Sequence, residues 1–319
     1  MTYIELPNLH HSDYEHPLDA NALDVLEGTP GLECLTKVFI KQGIERLMIV
    51  SCTGSNLRVT PSSFPALFDI LQDVCSTVNI RRLPKLYVEW NDSVNGFTVG
   101  DEEPVIVITS GSVDRLTDDE LRFLIGHEMG HIKSRHTRYH MMADSISKLG
   151  EIAGELTLGI GKLLSTPVQI ALYRWYRTSE LTADRLGLLS CQSLKTAASV
   201  FVKMAGLPQK HNNNPCVDDF LLQAKEFEQI DMDQVNRWIK FATHAMHTHP
   251  WTVLRAAELK RWIDSGQYEA LLYRDPSPSK MGQEPILPEA VSDCKHCPVC
   301  HAEIEHDEAF CANCGKRLN

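Results

Sequence analysis

The segment Asp118–His136 constrains this chain more than any other, because it joins a helical pattern to a metal-binding motif. It contains His127-Glu128-Met129-Gly130-His131, an H-E-x-x-H sequence. On a helix, residues four apart lie on one face about one turn apart, so His127 and His131 can direct two imidazoles at one metal ion. Glu128 follows His127 directly and can reach a metal-bound water. The motif therefore predicts a zinc hydrolase site on a helix.

The residues around the motif indicate where this helix begins and what it packs against. Thr117-Asp118-Asp119-Glu120 is a capping box, and its acids suit the positive end of the helix dipole. Gly126 and Gly130 flank the motif, and a glycine inside a helix costs about 1 kcal/mol relative to alanine. The alternative is a solvated face carrying two histidines and a glutamate. The glycines favour the close approach of another element.

Two acids further along the chain are candidates to complete the metal site. Glu180 and Asp184 are four residues apart, hence on one helical face. A zinc site with two histidines needs a third protein ligand, often a carboxylate, and leaves the fourth position for water. A metal-bound histidine normally donates its other ring N–H to a carboxylate or carbonyl. We expect Glu180 to be the ligand and Asp184 to hold His127, with a pair of surface acids as the alternative.

The sequence pattern of two other parts of the chain predicts no catalytic or metal-binding role. His136 and His140, one turn apart after the motif, are interpreted as surface residues, because two histidine ligands are already assigned. The first 30 residues and the helical stretches up to residue 80 are interpreted as scaffold, since apolar stripes usually form core.

Three strand-like segments precede the motif helix. Lys85–Trp90 alternates, Val94–Gly100 follows a turn, and Pro104–Thr109 is rich in β-branched residues. The edge of such a sheet can hold an extended peptide as an added strand, and Gly96 permits a close backbone approach. Together with the helical remainder, these segments predict an α+β fold that is mostly helical and has a small sheet.

The C-terminal part predicts a separate small metal-binding domain. Cys297-Pro298-Val299-Cys300 and Cys311-Ala312-Asn313-Cys314 are two C-x-x-C pairs at a separation typical of a four-thiolate zinc site. So short a region cannot bury much core and would need the metal to fold. Cys294 overlaps the first pair and is interpreted as spare. The predicted domains are 1–273, a proline-rich linker 274–292, and a zinc ribbon 293–319.

The net charge and the hydropathy of the chain limit the classes of partner that we expect it to bind. The net charge of −11 argues against nucleic acid and anionic membranes as main partners. No stretch of about 20 residues is uninterrupted apolar, and the N-terminus has no secretory pattern. Five of the ten cysteines cluster between Cys294 and Cys314, which without a secretory signal indicates metal binding rather than disulfides. We expect a cytoplasmic protein with no transmembrane segment, which leaves peripheral membrane contact open.

Three separated motifs, in order, give the chain a family resemblance. H-E-M-G-H, S-E-L-T-A-D-R-L-G at Ser179–Gly187, and T-H-P at Thr248–Pro250 with Arg255 downstream resemble the HtpX-like and CAAX prenyl endopeptidase family of gluzincin zinc metallopeptidases, over residues 60–265. The resemblance implies a zincin-like metallopeptidase domain. It also implies zinc ligands and a general base, which map to His127, His131 and Glu180 and to Glu128 respectively.

The same resemblance implies further site residues. The family's N-A-F strand motif stands here as Asn95-Gly96-Phe97, with Gly in place of Ala, and implies contacts to the substrate backbone. His249 and Arg255 are implied near the zinc, where they stabilise an oxyanion or occupy the open position at rest. The chain lacks the hydrophobic spans of the family's membrane members. Its tail resembles a two-knuckle zinc ribbon, with His301 where glycine usually follows the first knuckle.

These observations predict a zinc-dependent metalloendopeptidase that hydrolyses peptide bonds with a Glu128-activated, zinc-bound water, in protein quality control. It would carry one catalytic and one structural zinc ion, act on polypeptides, and use the ribbon to contact a protein partner. One alternative is a zinc-holding, chaperone-like or binding module with little or no proteolysis. Another is a latent protease blocked by His249.

Overall fold

The described part of the chain comprises residues 3–41, 43–152, 166–212, 216–229, 251–274, 295–296 and 303–304 of a computed structural model. The chain divides into two compact units, Met1–Pro278 and Ser279–Asn319. The first unit is mostly helical and contains one small mixed sheet, in agreement with the α+β prediction.

The helices of the first unit occupy most of its described length. They are α1 His11–Tyr14, α2 Pro17–Glu27, α3 Leu32–Lys41, α4 Ile44–Ser55, α5 Pro65–Thr77, α6 Ser110–Arg115, α7 Asp118–Lys133, α8 Thr137–Ile152, α9 Thr166–Cys191, α10 Leu194–Met204, α11 Val217–Gln229, α12 Thr252–Asp264 and α13 Gln267–Leu272. A short 3-10 helix spans Gln209–His211. None of the helices within the described ranges combines the length and the apolarity that crossing a membrane requires.

The sheet has four strands in the order β1-β2-β4-β3. They are β1 Leu57–Arg58, β2 Lys85–Glu89, β3 Gly96–Val99 and β4 Val105–Thr109. The central pair, β2 and β4, is parallel, and the two outer pairings are antiparallel. The three longer strands confirm the predicted segments between residues 85 and 109. The sequence reading missed β1, because two residues are too few to show an alternating pattern.

Strand β4 is buried on both faces and separates two apolar clusters. Val105 and Val107 belong to one cluster, which includes α2, α3 and the start of α9. Ile106 and Ile108 belong to the other, which includes α5, α7 and α10. Because successive side chains of a strand point to opposite faces, this alternation packs helices on both sides of the sheet.

Helix α7 begins as the capping box predicts and ends at Lys133. The Thr117 hydroxyl accepts from the Glu120 backbone N–H, and the Glu120 carboxylate accepts from the Thr117 N–H at 2.7 Å. At the other end, Arg135 has a φ of 59°, in the left-handed region. This turn stops the helix at Lys133, and His136 therefore leads into α8 instead of extending α7.

The two glycines of the motif lie where α7 crosses α9. A Cβ on Gly126 would lie 2.4 Å from Ser190 Cβ, and one on Gly130 would lie 2.7 Å from Ala183 Cα. Real Cβ atoms do not approach so closely, so both positions require glycine at this crossing distance. The predicted close approach is confirmed, and the element that approaches is the helix that carries Glu180 and Asp184.

We predict that Gly130→Ala lowers the free energy of unfolding by about 1–3 kcal/mol, the usual cost of overpacking, and weakens metal binding as well. The new methyl group would push on the backbone of α9 beside Glu180 and Asp184. Thermal unfolding and a metal titration would measure the two effects. Gly54→Ala in α4 is the matched control, because its Cβ would meet nothing within 4 Å. Equal behaviour of the two variants would contradict the close crossing.

In the second unit, the described residues form one short antiparallel pairing between β5 Lys295–His296 and β6 Glu303–Ile304. The cysteines of the predicted ribbon and the predicted linker from residue 275 onward lie outside the described residues.

Candidate metal centre and active site

Three buried side chains from two crossing helices converge on one point. His127 Nε2 and His131 Nε2 of α7 lie 3.2 Å apart. Glu180 of α9 places Oε2 at 3.5 Å from His127 Nε2 and Oε1 at 3.4 Å from His131 Nε2. Zinc bonds of about 2.0–2.2 Å in tetrahedral geometry separate ligand atoms by about 3.3–3.6 Å. The nitrogen and oxygen donors brought together here therefore fit a zinc ion in both chemistry and spacing.

The two histidines differ in their electrostatic surroundings. Burial by itself lowers the pKa of His127, but its hydrogen bonds to Asp184 and Glu180 outweigh burial and raise the pKa to about 9. Burial lowers the pKa of His131 to about 4, and Glu180 offsets this only in part. A metal ligand must present a neutral imidazole, so a proton competes with the metal mainly at His127.

Asp184 and Arg255 form a buried support behind His127. His127 Nδ1 lies 2.9 Å from Asp184 Oδ1, and Arg255 of α12 donates to the same carboxylate from Nε at 2.8 Å and from Nη2 at 2.6 Å. Burial raises the pKa of Asp184, but Arg255 and His127 outweigh it and lower the pKa. Asp184 thus lies beside Nδ1 of His127, and its role in holding a metal-bound histidine stays a prediction.

Arg255 faces Glu180 as well as Asp184. Its Nη1 lies 3.6 Å from Glu180 Oε2, and its other two nitrogens are held by Asp184. Arg255 therefore comes close to the metal-binding group, and its role in stabilising an oxyanion stays a prediction. His249, implied beside it, lies outside the described residues.

Glu128 follows His127 on α7 and lines the same small cavity as His127 and Glu180. Its Oε2 accepts a hydrogen bond from Thr98 Oγ1 of β3 at 2.8 Å. Burial raises the pKa of Glu128 to about 7, against the opposing effects of His127 and Thr98. A buried carboxyl group with a pKa near neutrality suits proton transfer at physiological pH.

The edge strand β3 runs directly beside Glu128. A Cβ on Gly96 would lie 3.2 Å from Glu128 Oε1, so the strand backbone approaches the acid closely. Asn95 precedes the strand, and its N–H donates to Ser112 Oγ at 2.8 Å. Phe97 packs with the apolar cluster on the other face of the sheet. The side chains and backbone around the site enclose a small cavity lined by Asn95, Gly96, Phe123, Leu124, His127, Glu128, Glu180, Met204 and Arg255.

The expectation that His136 and His140 lie at the surface is wrong. Their exposed fractions are 3% and 6%, and the His140 ring lies 4.5 Å from the His131 ring, centroid to centroid. The left-handed turn at Arg135 redirects the chain, so both histidines face α9 instead of solvent. His140 stacks on Tyr176, with ring centroids 3.8 Å apart. The spacing of His136 and His140 does not predict their burial, because the turn at Arg135 interrupts the helical periodicity.

Comparison with known sequences relates the chain to metallopeptidases. The sequence profile of peptidase family M48 matches residues 61–263. The plastoglobule-localized metallopeptidase 48 of Arabidopsis thaliana chloroplasts is 30% identical over 270 residues, which are 84% of this chain and 77% of that protein. The protease HtpX homolog 2 of Methanosarcina acetivorans is 27% identical over 206 residues, 56% of this chain and 69% of that protein. The structural match to the crystal structure of S. mikatae Ste24p covers 76% of this chain and 61% of that protein's chain. The two chains have 16% sequence identity and a TM-score of 0.40.

Proposed function

The chain belongs to peptidase family M48, and we propose that it is a zinc-dependent endopeptidase whose metal is held by His127, His131 and Glu180. Its membership of this family makes it a peptide hydrolase. The observation that carries the ligand assignment is the close approach of these donor atoms: the two histidine Nε2 atoms lie 3.2 Å apart, and each lies 3.4 or 3.5 Å from one of the two Glu180 oxygens. A zinc ion bound there would lower the pKa of a water molecule toward about 7 and polarise the scissile carbonyl group.

Glu128 is the general base in this proposal. Its carboxylate takes a proton from the attacking water and later delivers it to the leaving amine. The hydrogen bond from Thr98 Oγ1 holds the carboxylate in place while leaving Oε1 for proton transfer. Arg255, and His249 by resemblance, would stabilise the negative charge that develops on the carbonyl oxygen.

The proposed substrate is a polypeptide in an extended conformation. Strand β3 is the last strand at its side of the sheet within the described residues, and it runs past Glu128. An extended peptide could pair with this edge as an added strand, with the backbone around Asn95–Phe97 making the contacts. Unfolded proteins expose such segments, which is the basis on which we propose a role in protein quality control. A cytoplasmic location stays a prediction from cysteine usage.

The tail is proposed to hold a second, structural zinc ion. The four ligands would be Cys297, Cys300, Cys311 and Cys314, and this assignment rests on their spacing. A protein partner bound through this ribbon is part of the same proposal.

Metal analysis of purified variants tests both sites in one experiment. We predict about two zinc equivalents per chain, one lost in Glu180→Ala and the other in Cys297→Ser, because each substitution removes a ligand. Chelation should abolish cleavage of an unfolded protein substrate, and added zinc should restore it. Glu226→Ala, an exposed acid on α11, is the control.

Two results of that experiment would count against the proposal. A Glu180→Ala variant that keeps both zinc equivalents would contradict the ligand assignment. A zinc-replete wild-type protein that cleaves no unfolded substrate would instead favour the zinc-holding binding module.

A further inference from the structure

Behind the metal site, the hydrogen bonds of His131 continue into a second histidine and then into an acid from the N-terminal segment. We propose that His136 and Asp19 are positioning residues, which orient His131 and set its tautomer for the metal. On this view the N-terminal segment completes the metal site. The inference rests on the proposed function, because it takes His131 as a metal ligand.

The chain of contacts is short and fully buried. His131 Nδ1 lies 3.1 Å from His136 Nδ1, and His136 Nε2 lies 3.2 Å from Asp19 Oδ2. Thr182 Oγ1 donates to the same Asp19 oxygen at 2.5 Å. All four side chains are among the buried polar groups of the protein. Each separation is within hydrogen-bonding range, so a single connected path runs from the metal ligand to Asp19.

Only one arrangement of protons satisfies this path when His131 binds a metal through Nε2. A neutral imidazole carries one proton, so His131 must carry it on Nδ1 and donate it to His136 Nδ1. His136 then carries its own proton on Nε2 and donates it to the Asp19 carboxylate, which is an acceptor only. The acid at the end of the path thereby determines which nitrogen of His131 is free to bind the metal.

A packing role does not explain Asp19. Its neighbours on the buried face of α2 are Ala22 and Leu26, which are apolar. Asp19 is 1% exposed, and within the described residues its Oδ1 has no hydrogen-bond partner. A buried carboxylate with an unsatisfied oxygen destabilises a fold. The contact with His136 gives this residue a function that an apolar side chain at position 19 could not supply.

The N-terminal segment is held in place by the same helix that supplies Glu180. The His16 backbone N–H donates to Thr182 Oγ1 at 3.0 Å, and Arg185 Nη1 donates to the Glu15 carbonyl at 2.9 Å. These contacts hold the start of α2 against α9. The two α9 residues that make them, Thr182 and Arg185, lie on either side of Asp184 in sequence. Asp19 lies before residue 61, where the match to the family profile begins. On this proposal, the first 30 residues contribute to the metal site as well as to the scaffold that the sequence predicts.

The two metal-binding histidines are supported in different ways. His127 donates directly to a carboxylate that Arg255 holds, whereas His131 faces a neutral imidazole with the carboxylate one step further away. Another reading would join His131, His136 and His140 into a second metal site, since their ligand atoms lie within 4.8 Å of one another. Hydrogen bonding explains the contacts better, because His136 faces His131 and Asp19 with its two nitrogens, and His140 Nε2 lies 2.7 Å from Ser179 Oγ.

The test measures zinc affinity by chelator competition in the full chain. Loss of an outer hydrogen-bond partner typically weakens metal binding by about 10- to 100-fold. We expect about a tenfold loss for Asp19→Asn, which removes only the charge, and a loss nearer 100-fold for His136→Phe, which keeps a ring but removes the acceptor. The absorption spectrum of the cobalt-substituted protein should shift in both variants. Asp24→Asn, exposed on the same helix, should match the wild type in both measurements.

The outcomes separate this inference from the zinc site itself. If Glu180→Ala weakens zinc binding while the folded Asp19→Asn and His136→Phe variants bind zinc within about twofold of wild type, the positioning role is overturned and the zinc site stands. If Glu180→Ala binds zinc as tightly as wild type, the proposed function fails first. A further zinc equivalent that disappears with His136 would establish a second metal site and overturn the inference. A lower melting temperature of Asp19→Asn with unchanged zinc affinity would also overturn it.

Discussion

Glu128→Gln is expected to lower kcat for peptide hydrolysis by about 10²- to 10⁴-fold, the range for losing a general base, while zinc content stays at the wild-type level. Glutamine has nearly the same shape and can still accept the hydrogen bond from Thr98 Oγ1, so the fold and the three metal-binding groups should be preserved. It cannot take a proton from water. The loss should therefore appear in kcat with little change in KM, because the substrate contacts proposed along β3 would remain.

The measurement combines steady-state cleavage of a quenched fluorescent peptide with metal analysis of the same sample. Glu103→Gln, a partly exposed carboxylate paired with Arg82, is the matched control and should retain wild-type kcat. A Glu128→Gln variant that keeps its zinc and cleaves at a rate within a factor of about ten of wild type would remove Glu128 from the mechanism. Loss of zinc in this variant would mean that Glu128 contributes to the metal site.

The parts of the site that lie along one helix could be predicted from sequence. The start of α7 follows from a local capping pattern, and the shared face of His127 and His131 follows from helical periodicity. Glu180 and Asp184 could be predicted as site residues because they share one face of their own helix. A zinc site with two histidines needs a third ligand and an acceptor for a histidine N–H, and a carboxylate can be either. Gly126 and Gly130 indicate the close approach of another element, and that element is α9.

The remaining parts depend on contacts that no local pattern encodes. Asp19 meets Thr182 across 163 positions of sequence, and nothing in the composition of the N-terminal segment marks that acid as buried. Arg135 adopts a left-handed backbone conformation that changes the direction of the chain before His136. This conformation is uncommon for a residue other than glycine, so the sequence does not predict it. Long-range packing and a single backbone turn therefore decide the surroundings of His131, whereas periodicity decides only which groups face the metal.

Glu120 forms a buried ion pair with Lys203 in addition to its role in the capping box. Its carboxylate accepts from the Thr117 N–H at 2.7 Å and also from Lys203 Nζ of α10 at 2.7 Å. Lys203 Nζ donates to the Arg115 carbonyl at 2.8 Å as well, and Ser199 Oγ donates to the other Glu120 oxygen at 2.5 Å. The Lys203 and Glu120 side chains are only 2% and 6% exposed. The first turn of the motif helix is thus joined to α10 by a buried, hydrogen-bonded ion pair.

Lys203→Met should lower the free energy of unfolding by about 3–5 kcal/mol, because it leaves the Glu120 carboxylate buried without its counter-charge. Glu120→Gln should also destabilise, and the double variant Glu120→Gln/Lys203→Met should recover part of the loss, since no unpaired charge then remains inside. Urea unfolding of all three gives the coupling energy directly. Asp264→Asn removes the exposed pair with Lys260 and should cost no more than about 1 kcal/mol. A Lys203→Met cost as small as that of Asp264→Asn would show that the pair does not anchor α7, and additive single variants would show that the two charges act independently.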